Sequence, residues 1–352
     1  MNSTKRYLLI LVCLINNIVL SQDGGRNTYE FLNLPLSARA IALGGNLIST
    51  RDNDLNISFN NPALLNDSMN NKVAVNYVNY FGDINYGYAA IAKHIKSVGN
   101  FSAGIQYLNY GNFIRADESG NTDGTFGANE MSLNVSYSRS ILDSNLFIGA
   151  NLKTIYSYLD SYYSLGSALD LGAVYSIPGR GLGLAAVIKN VGYQWKPYVA
   201  GNREKLPFEI QLGFSKKLRH VPFRLSMVYE NVEKWDLTYE DPSNPFLTID
   251  PLTGEAIKQK KTKLWSDKLM RHIVVGGEFL ITKNFFLRAG YNYQRRKELK
   301  IPEKRGMTGF SFGFGFRIYK FQFSFGRAIY HLAGASNNFS LSFDINSFYS
   351  KK

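Results

Sequence analysis

The sequence of 352 residues lacks a long apolar run after its first 21 residues. Beyond that point no uninterrupted apolar stretch approaches the ~18 residues that a membrane-spanning helix needs. The mean hydropathy is −0.18, so a helical membrane protein is disfavoured. A β-barrel that crosses a membrane with strands remains possible, because half-apolar strands have a low average hydropathy.

Cysteine is nearly absent, since Cys13 is the single one. It lies within the apolar run 7–20, which follows Lys5 and Arg6. A basic start, an apolar run and a small residue at its end are typical of a secretory signal peptide, here residues 1–21. The mature chain would then contain no cysteine, which excludes a disulfide framework and a thiol nucleophile.

Residue patterns typical of catalysis or metal binding are sparse. The four histidines are isolated in the sequence, at His94, His220, His272 and His331. Because none has a second ligand at metal-binding spacing, barrel-surface or loop positions are the favoured interpretation. No glycine-rich loop has the pattern that cradles phosphates. The sequence therefore predicts a protein that is not an enzyme and that holds no cofactor and no metal.

An aromatic hairpin at residues 310–328 is the clearest feature that is present. Every second position is apolar there, namely Phe310, Phe312, Phe314, Phe316, Ile318, Phe321, Phe323 and Phe325. Side chains alternate between the faces of a strand, so these share one face if Tyr319-Lys320 is a two-residue turn. That register pairs Ile318 with Phe321, Phe316 with Phe323, and Phe314 with Phe325.

The opposite face of this hairpin carries mainly glycine, serine and glutamine. A soluble β-sandwich also alternates, but its solvated face usually carries long charged side chains. Bulky apolar groups outside and small polar groups inside suit a transmembrane barrel, which touches lipid with its outer surface. The hairpin therefore favours a membrane barrel over a soluble sandwich.

Alternating segments recur from residue 72 onwards and predict about fourteen strands. They lie near Val73–Tyr80, Tyr86–Ile95, Phe101–Tyr110, Met131–Arg139, Leu146–Tyr156, Leu169–Ile177, Leu182–Val191, Phe208–Leu218, Phe223–Asn231, Ile273–Ile281, Phe285–Tyr293, Phe310–Ile318, Phe321–Ile329 and Phe339–Ile345. Most have the ~9–11 residues of a tilted membrane strand. The predicted fold class is all-β: a transmembrane antiparallel β-barrel over residues 72–352, with an N-terminal arm and small periplasmic hatch over residues 22–71.

The connections alternate in predicted length, which indicates how the barrel is oriented. Most odd-numbered ones are long: Gly111–Glu130, Tyr158–Ala168, Gly192–Pro207, Val232–Arg271, Gln294–Met307 and Tyr330–Asn338. The even-numbered ones are short. Bacterial outer-membrane barrels have short periplasmic turns and long extracellular loops. We therefore expect a bacterial outer-membrane location with extracellular long loops, and with both termini and the hatch periplasmic.

Basic residues concentrate in two of the long loops. One contains Lys258, Lys260, Lys261, Lys263, Lys268 and Arg271, and the next contains Arg295, Arg296, Lys297, Lys300, Lys304 and Arg305. Such clusters form either a merely solvated surface or a surface that attracts anionic partners. On the second interpretation, lipopolysaccharide phosphates or an acidic protein would bind there. Nucleic acid is not expected at an extracellular rim.

The N-terminal region contains two short motifs that resemble a known family. Residues 35–45 read Pro-Leu-Ser-Ala-Arg-Ala-Ile-Ala-Leu-Gly-Gly, and residues 61–64 read Asn-Pro-Ala-Leu. Followed by about fourteen strands, they resemble the PorV/PorQ group of Bacteroidetes outer-membrane proteins, which is related to the FadL long-chain fatty-acid transporters. The run 29–40 is most similar to the PorQ branch of this group.

This resemblance implies a part in the attachment complex of type IX secretion, which links cargo to lipopolysaccharide. In that system PorV presents cargo to the sortase PorU, whereas PorQ anchors the surface protein PorZ. The resemblance assigns the hatch to Asn61, Pro62 and Ala63, together with Arg39 of the Ala-Arg-Ala segment. Pro62 would fix its backbone dihedral, and Asn61 would hydrogen-bond to nearby backbone.

Three functions remain as alternatives at this point. The first is a non-enzymatic barrel that holds a partner through loops 232–271 and 294–307. The second is a FadL-like passive transporter of hydrophobic small molecules, whose path would be lined by Gly313, Gly315, Ser324 and Gly326. The third is a cargo carrier in the manner of PorV.

Overall fold

The computed structural model describes residues 27–141, 145–238, 261–299, 306–331 and 334–349. The predicted signal peptide lies outside these residues. So do five of the basic loop residues, Lys258, Lys260, Lys300, Lys304 and Arg305.

Fourteen antiparallel strands close into one barrel in which each strand pairs with its neighbours in sequence, and β1 pairs with β14. The strands are β1 (Lys72–Asn79), β2 (Asn85–Ile95), β3 (Gly99–Ala116), β4 (Thr122–Ile141), β5 (Leu146–Leu159), β6 (Tyr162–Ile177), β7 (Leu182–Lys196), β8 (Glu209–Lys217), β9 (Phe223–Tyr229), β10 (Ile273–Phe279), β11 (Phe285–Asn292), β12 (Phe310–Ile318), β13 (Phe321–His331) and β14 (Gly334–Asp344). The predicted fourteen-stranded barrel is confirmed.

The aromatic hairpin has the register that its alternation predicts. Ile318 faces Phe321 across β12 and β13, and Phe316 faces Phe323. Tyr319 makes the turn in the left-handed region, with a φ of 55°. The apolar pattern therefore determined the register although Tyr-Lys is an unusual turn pair.

The wall of the barrel is apolar outside and polar inside, as β4 illustrates. Leu133 is 51% exposed and Val135 is 56% exposed, whereas Ser132, Asn134 and Ser136 are buried. No other segment of the described residues covers these outward side chains, so lipid is the environment in which this surface is stable. No helix within the described residues is long and apolar enough to cross a membrane.

The two ends of the barrel differ in their connections. We call the end with connections 96–98, 178–181, 218–222, 280–284 and 319–320 the turn rim. We call the end with connections 117–121, 197–208, 230–272 and 293–309 the loop rim.

Three predicted long loops are wrong, because the strands continue through them. In Tyr330–Asn338, β13 runs to His331 and β14 begins at Gly334. The other two lie between β3 and β4 and between β5 and β6. Residues 111–130 form most of a two-stranded ribbon that joins β3 to β4. Residues 158–168 contain a two-residue connection, 160–161, between β5 and β6. Both segments lack strict alternation because they extend beyond the lipid-facing band, where backbone pairing no longer requires an apolar face.

Residues 27–71 lie inside the barrel, and we call them the plug. They contain helix α1 (Ala38–Ala42) and four 3-10 turns, Glu30–Asn33, Leu55–Ile57, Pro62–Leu64 and Asp67–Met69. Ser37 caps α1 by accepting a hydrogen bond from the Ala40 N–H at 3.5 Å. The helix ends at Ala42, and the chain turns away at Gly44 and Gly45, which have φ values of 108° and 129°.

Glycines on the inner wall make room for the plug. A Cβ atom at Gly326 would lie 2.3 Å from the Ala38 carbonyl oxygen, and one at Gly290 would lie 2.2 Å from the Leu43 carbonyl carbon. A Cβ atom at Gly313 would lie 2.8 Å from the Ala42 Cβ. These small residues therefore accommodate α1, so part of the inner surface considered for a transport path is in contact with the plug.

The plug crosses the lumen from one end to the other. Asn27 forms a bridge with Lys205 in connection 197–208 of the loop rim, whereas Lys72 starts β1 at the turn rim. β14 ends at the turn rim, and helix α4 (Asn346–Tyr349) follows it. The first described residue and the last strand thus lie at opposite ends. The reason is that residues 27–71 traverse the lumen before β1 begins, and the predicted position of the two termini lies outside the described residues.

Candidate functional site

Arg39 of α1 connects the plug to the barrel wall. Its Nε and Nη2 atoms donate to the two carboxylate oxygens of Glu278 on β10, at 3.1 and 3.0 Å. The same guanidinium binds Asp52 at 2.8 Å and Asp54 at 3.2 Å, both within the plug. Planar two-bond pairing of this kind is specific to arginine and fixes its orientation.

Glu278 also binds two arginines of the wall. Arg224 of β9 lies 2.8 Å from one carboxylate oxygen, and Arg288 of β11 lies 2.8 Å from the other. Glu278 faces Arg224 and Arg288 directly in the two strand pairings. We call these six residues the plug lock: Arg39, Asp52, Asp54, Arg224, Glu278 and Arg288. Its three positive and three negative charges balance.

The plug-lock residues Arg39 and Asp52, which belong to the plug, are kept ionised by their charged neighbours. Burial by itself would lower the pKa of the Arg39 guanidinium, but Asp52 and Glu278 outweigh it and raise that pKa well above its ordinary value. Burial would likewise raise the pKa of Asp52, but Arg39 lowers it. Each charge is therefore stabilised by its partners, and removal of one leaves another buried charge uncompensated.

A cavity of about 320 Å³ lies beside the plug lock at the turn rim. Besides the lock, its lining includes Asn53, Lys217, Leu280, Lys283, Phe286 and Arg317. No described group of three or more histidine, cysteine or acidic side chains has the arrangement of a metal site. The cavity is thus a basic recess between plug and wall.

The Asn-Pro-Ala segment is positioned on the opposite side of the plug. The Asn61 Oδ1 accepts a hydrogen bond from the Ala63 N–H at 3.0 Å, and its Nδ2 donates to the Ile48 carbonyl at 2.8 Å. Pro62 opens the 3-10 turn, where its fixed φ suits a helical start. Gly149 and Gly172 of β5 and β6 lie against this turn. The structure does not bring Asn61 and Arg39 together, since they contact different parts of the wall.

The loop rim carries two helices, α2 (Lys261–Arg271) and α3 (Tyr293–Leu299). Asp267 joins them: it accepts hydrogen bonds from Tyr293 Oη at 2.6 Å and from Arg271 Nε at 2.9 Å, and Lys297 Nζ lies 2.8 Å away. Burial opposes the charge of Asp267, but these three partners lower its pKa to about 2. We call α2, α3 and residues 232–238 the rim platform.

Two of the predicted contact residues on α3 are held by other parts of this chain. Arg295 points into the lumen: its guanidinium lies 4.3 Å from the Tyr330 ring centre, and its Nη1 is buried without a hydrogen-bond partner in the described residues. The expectation that it faces an outside partner is therefore corrected, because the helical period turns it inward. Arg296 binds the Gly306 and Thr308 carbonyls, at 3.3 and 3.2 Å.

Of the remaining predicted contact residues, the structure describes the side chain of Lys297 alone. Lys297 is 42% exposed although it is paired with Asp267. Lys261 and Lys263 lie in the first turn of α2, where the structure describes the backbone of these two residues and not their side chains. Lys258 and Lys260 lie outside the described residues.

Exposed aromatic side chains on the rim platform were not predicted from the sequence. Trp265 of α2 is 56% exposed, and its ring centre lies 6.0 Å from that of Trp235. Leu264 and Met270 are exposed nearby in sequence. The sequence did contain a signal for them, namely Trp235 and Trp265 within a polar loop, because large exposed aromatic side chains are enriched at protein interfaces.

His272 holds the base of the rim platform. Its Nδ1 lies 2.8 Å from the Glu230 carbonyl oxygen, and its Nε2 lies 3.1 Å from the Trp235 carbonyl oxygen. The ring also stacks on Tyr229, with centres 4.7 Å apart. This histidine ties residues 230–235 to the start of β10 and has a structural position rather than a metal-binding one.

Comparisons with known proteins reveal the fold and nothing finer. No protein-family model and no curated protein matches the chain. The Ralstonia pickettii toluene transporter TbuX matches with 12% identity over 88% of this chain and 97% of its own, at a TM-score of 0.52. A deltaS2S3 mutant of the monoaromatic hydrocarbon channel TodX matches with 12% identity over 87% and 97%, at 0.51.

A Pseudomonas aeruginosa FadL homologue is also similar, with 14% identity over 88% of this chain and 98% of its own, at a TM-score of 0.44. The closed fourteen-stranded barrel of this chain therefore has the fold of TbuX and of the TodX mutant. At these identities the likeness concerns architecture alone.

Proposed function

We propose that the chain is a non-enzymatic barrel of the bacterial outer membrane that holds a surface protein through its rim platform. The observation that carries this proposal is the plug, which runs through the lumen from one rim to the other and is bound to the wall by buried ion pairs. A locked lumen suits an anchor better than a channel. Trp235 and Trp265 supply the large apolar anchors that concentrate binding energy at protein interfaces.

The particular system that we propose is the attachment complex of type IX secretion, in which this chain would take the part of PorQ. The partner would resemble PorZ and would lie near PorU and PorV. This part of the proposal rests on the resemblance of residues 29–65 to the PorV/PorQ group. In this role the loop rim is extracellular, and Lys297 is available for contact with acidic protein or lipopolysaccharide.

Removal of the exposed apolar side chains tests the anchoring role. We expect Trp265→Ala with Leu264→Ser to reduce the amount of surface protein that co-purifies from the native outer membrane by at least about tenfold. Heat-modifiable migration on gels reports that the barrel is still folded. Trp195→Ala is the matched control, because Trp195 is exposed on the wall at β7 rather than on the platform. Unchanged retention in the double variant, with a folded barrel, would refute the anchoring role.

A second candidate is passive transport of hydrophobic small molecules, which the FadL-like fold supports. Transport requires the plug to move, because α1 contacts the wall at Gly313 and Gly326. Uptake of a hydrophobic probe into vesicles, compared between the native chain and a variant that carries a disulfide between plug and wall, distinguishes the candidates. Uptake that the disulfide abolishes would favour the transporter, and direct affinity for cargo C-terminal domains would favour a PorV-like carrier.

A further inference from the structure

The ribbon of residues 110–127 extends beyond the wall of the barrel. β2 begins at Asn85, which faces Asn109, and β5 ends at Leu159, which faces Ala128. Beyond these points β3 and β4 pair with each other and with no other strand of the described chain. Asp160 ties the ribbon to the rest: its N–H donates to the Gly127 carbonyl at 3.2 Å, and its carboxylate pairs with the Arg115 guanidinium. Each arm reaches roughly 20 Å past the wall.

Beyond Gly127, neither edge of this ribbon pairs with another strand of the described residues. Backbone N–H and C=O groups along an exposed edge are a template for another strand. Its side chains add apolar surface: Ile114 is 70% exposed, and the rings of Phe113 and Phe126 stack at 5.2 Å. An isolated two-stranded ribbon is marginally stable in water, so a third strand would stabilise this one substantially.

The charge of the ribbon indicates which strand fits. Residues 110–127 contain Asp117, Glu118 and Asp123 against Arg115, a net charge of −2. Arg115 is already paired with Asp160. Unlike the ribbon, α2 and α3 are basic, with seven basic and two acidic residues, a net charge of +5. An extended segment with lysine or arginine side chains complements the ribbon, whereas an acidic surface complements the helices.

The ribbon and the helices stand on opposite sides of the barrel mouth. β3 lies seven strands away from β10, and β4 lies seven strands away from β11, which is half of the fourteen-stranded circle. α2 precedes β10 and α3 follows β11. A partner that spans the mouth therefore meets an acidic edge on one side and a basic helical surface on the other.

We propose that the ribbon 110–127 is a docking arm. An edge strand of the same surface protein, which carries basic side chains, pairs with the ribbon and extends its β-sheet. The proposal rests on the anchoring function above. β-strand addition obtains affinity from main-chain hydrogen bonds and specificity from alternate side chains. The second contact also fixes the orientation of the partner, which one platform would leave free to rotate.

Photo-crosslinking in native cells tests this arm. A benzophenone amino acid is placed at Asn112, at Ile114 and, as the control, at the lipid-facing Leu133, and crosslinked peptides are mapped by mass spectrometry. We expect the adducts from positions 112 and 114 to fall on one extended segment of the partner. The two crosslinked sites in that segment should lie two residues apart. Position 133 should yield only lipid adducts.

A deletion separates this inference from the anchoring function. Replacement of residues 112–126 by Asn-Gly between Gly111 and Gly127 leaves the barrel register intact. We expect partner retention to fall by at least about tenfold, and amide exchange at residues 112–116 of the intact protein to slow by at least about tenfold in the complex.

Several outcomes would overturn the docking arm. They are adducts with a second copy of this chain, adducts with lipid alone, scattered adducts, or full retention after the deletion. If the deletion has no effect while the Trp265 and Leu264 variant releases the partner, the anchoring function stands and the docking arm fails. If neither releases it, both fail.

Discussion

The guanidinium of Arg39 in the plug and the carboxylate of Glu278 in the wall face each other through two parallel hydrogen bonds of 3.1 and 3.0 Å. The two residues are 239 positions apart in the chain. Both are buried, so the pair fixes the plug inside the barrel without help from solvent. The plug and the wall therefore form one cooperative unit.

Arg39→Gln should destabilise the whole barrel. The substitution leaves Glu278, Asp52 and Asp54 with only part of their compensating charge, and breaking a buried pair costs about 3–5 kcal/mol. We expect this loss in the free energy of unfolding measured in detergent by denaturant titration. Arg115→Gln is the control: its pair with Asp160 is exposed, so a loss of at most about 1 kcal/mol is expected. Equal losses would show that the plug lock contributes little.

Gly326→Ala should prevent the plug from packing, because its Cβ atom would meet the Ala38 carbonyl at 2.3 Å. We expect a cost of about 1–3 kcal/mol from the forced displacement and an increase in single-channel conductance in planar bilayers. Gly179→Ala is the matched control, since no atom lies within 4 Å of its Cβ position. A closed, fully stable Gly326→Ala barrel would contradict the close approach of α1 to β13.

Leu133→Lys tests the outward apolar surface. A lysine near the middle of the lipid-facing band costs about 2–4 kcal/mol, so we expect this loss in refolding equilibria with phospholipid vesicles. Ile114→Lys should cost little, because Ile114 lies on the ribbon beyond the wall. A lysine tolerated at 133 as well as at 114 would mean that lipid does not cover β4.

The rim platform should loosen at acidic pH. The pKa of Asp267 is about 2 in the folded chain, below its ordinary value of about 3.9, so its stabilising contribution is complete above about pH 4. The contribution is lost as the pH falls through about 2, because the protonated carboxyl no longer binds Lys297 and Arg271 as an anion. Tryptophan fluorescence from Trp265 and Trp235 follows this change.

Asp267→Asn provides the comparison for this titration. The variant should resemble the acid form at neutral pH and should show a smaller transition below about pH 4, where Asp236 still titrates. Burial opposes the charge of Asp236, but Lys268 and Thr238 lower its pKa. A transition of the same size in both proteins would assign it to another group.

Much of the barrel follows from local pattern. The alternation in β4 and the hairpin β12–β13 was enough to predict strands, faces and a register that pairs Ile318 with Phe321. The same method missed the ribbon at 110–127, because a strand that has left lipid needs no apolar face. Charged residues at inward positions that face each other, such as Glu278 and Arg288, were an available signal for the plug lock.

The amino-acid sequence by itself determined which residues face lipid, because the two-residue period of a strand and the apolar band of a membrane act on each segment locally. Only the tertiary structure decided that Arg39 meets Glu278, that Arg295 points inward and that the ribbon is left unpaired. These depend on closing the barrel around the plug, which brings together groups from distant parts of the chain. The alternation of residues within one strand carries no information about such long-range contacts.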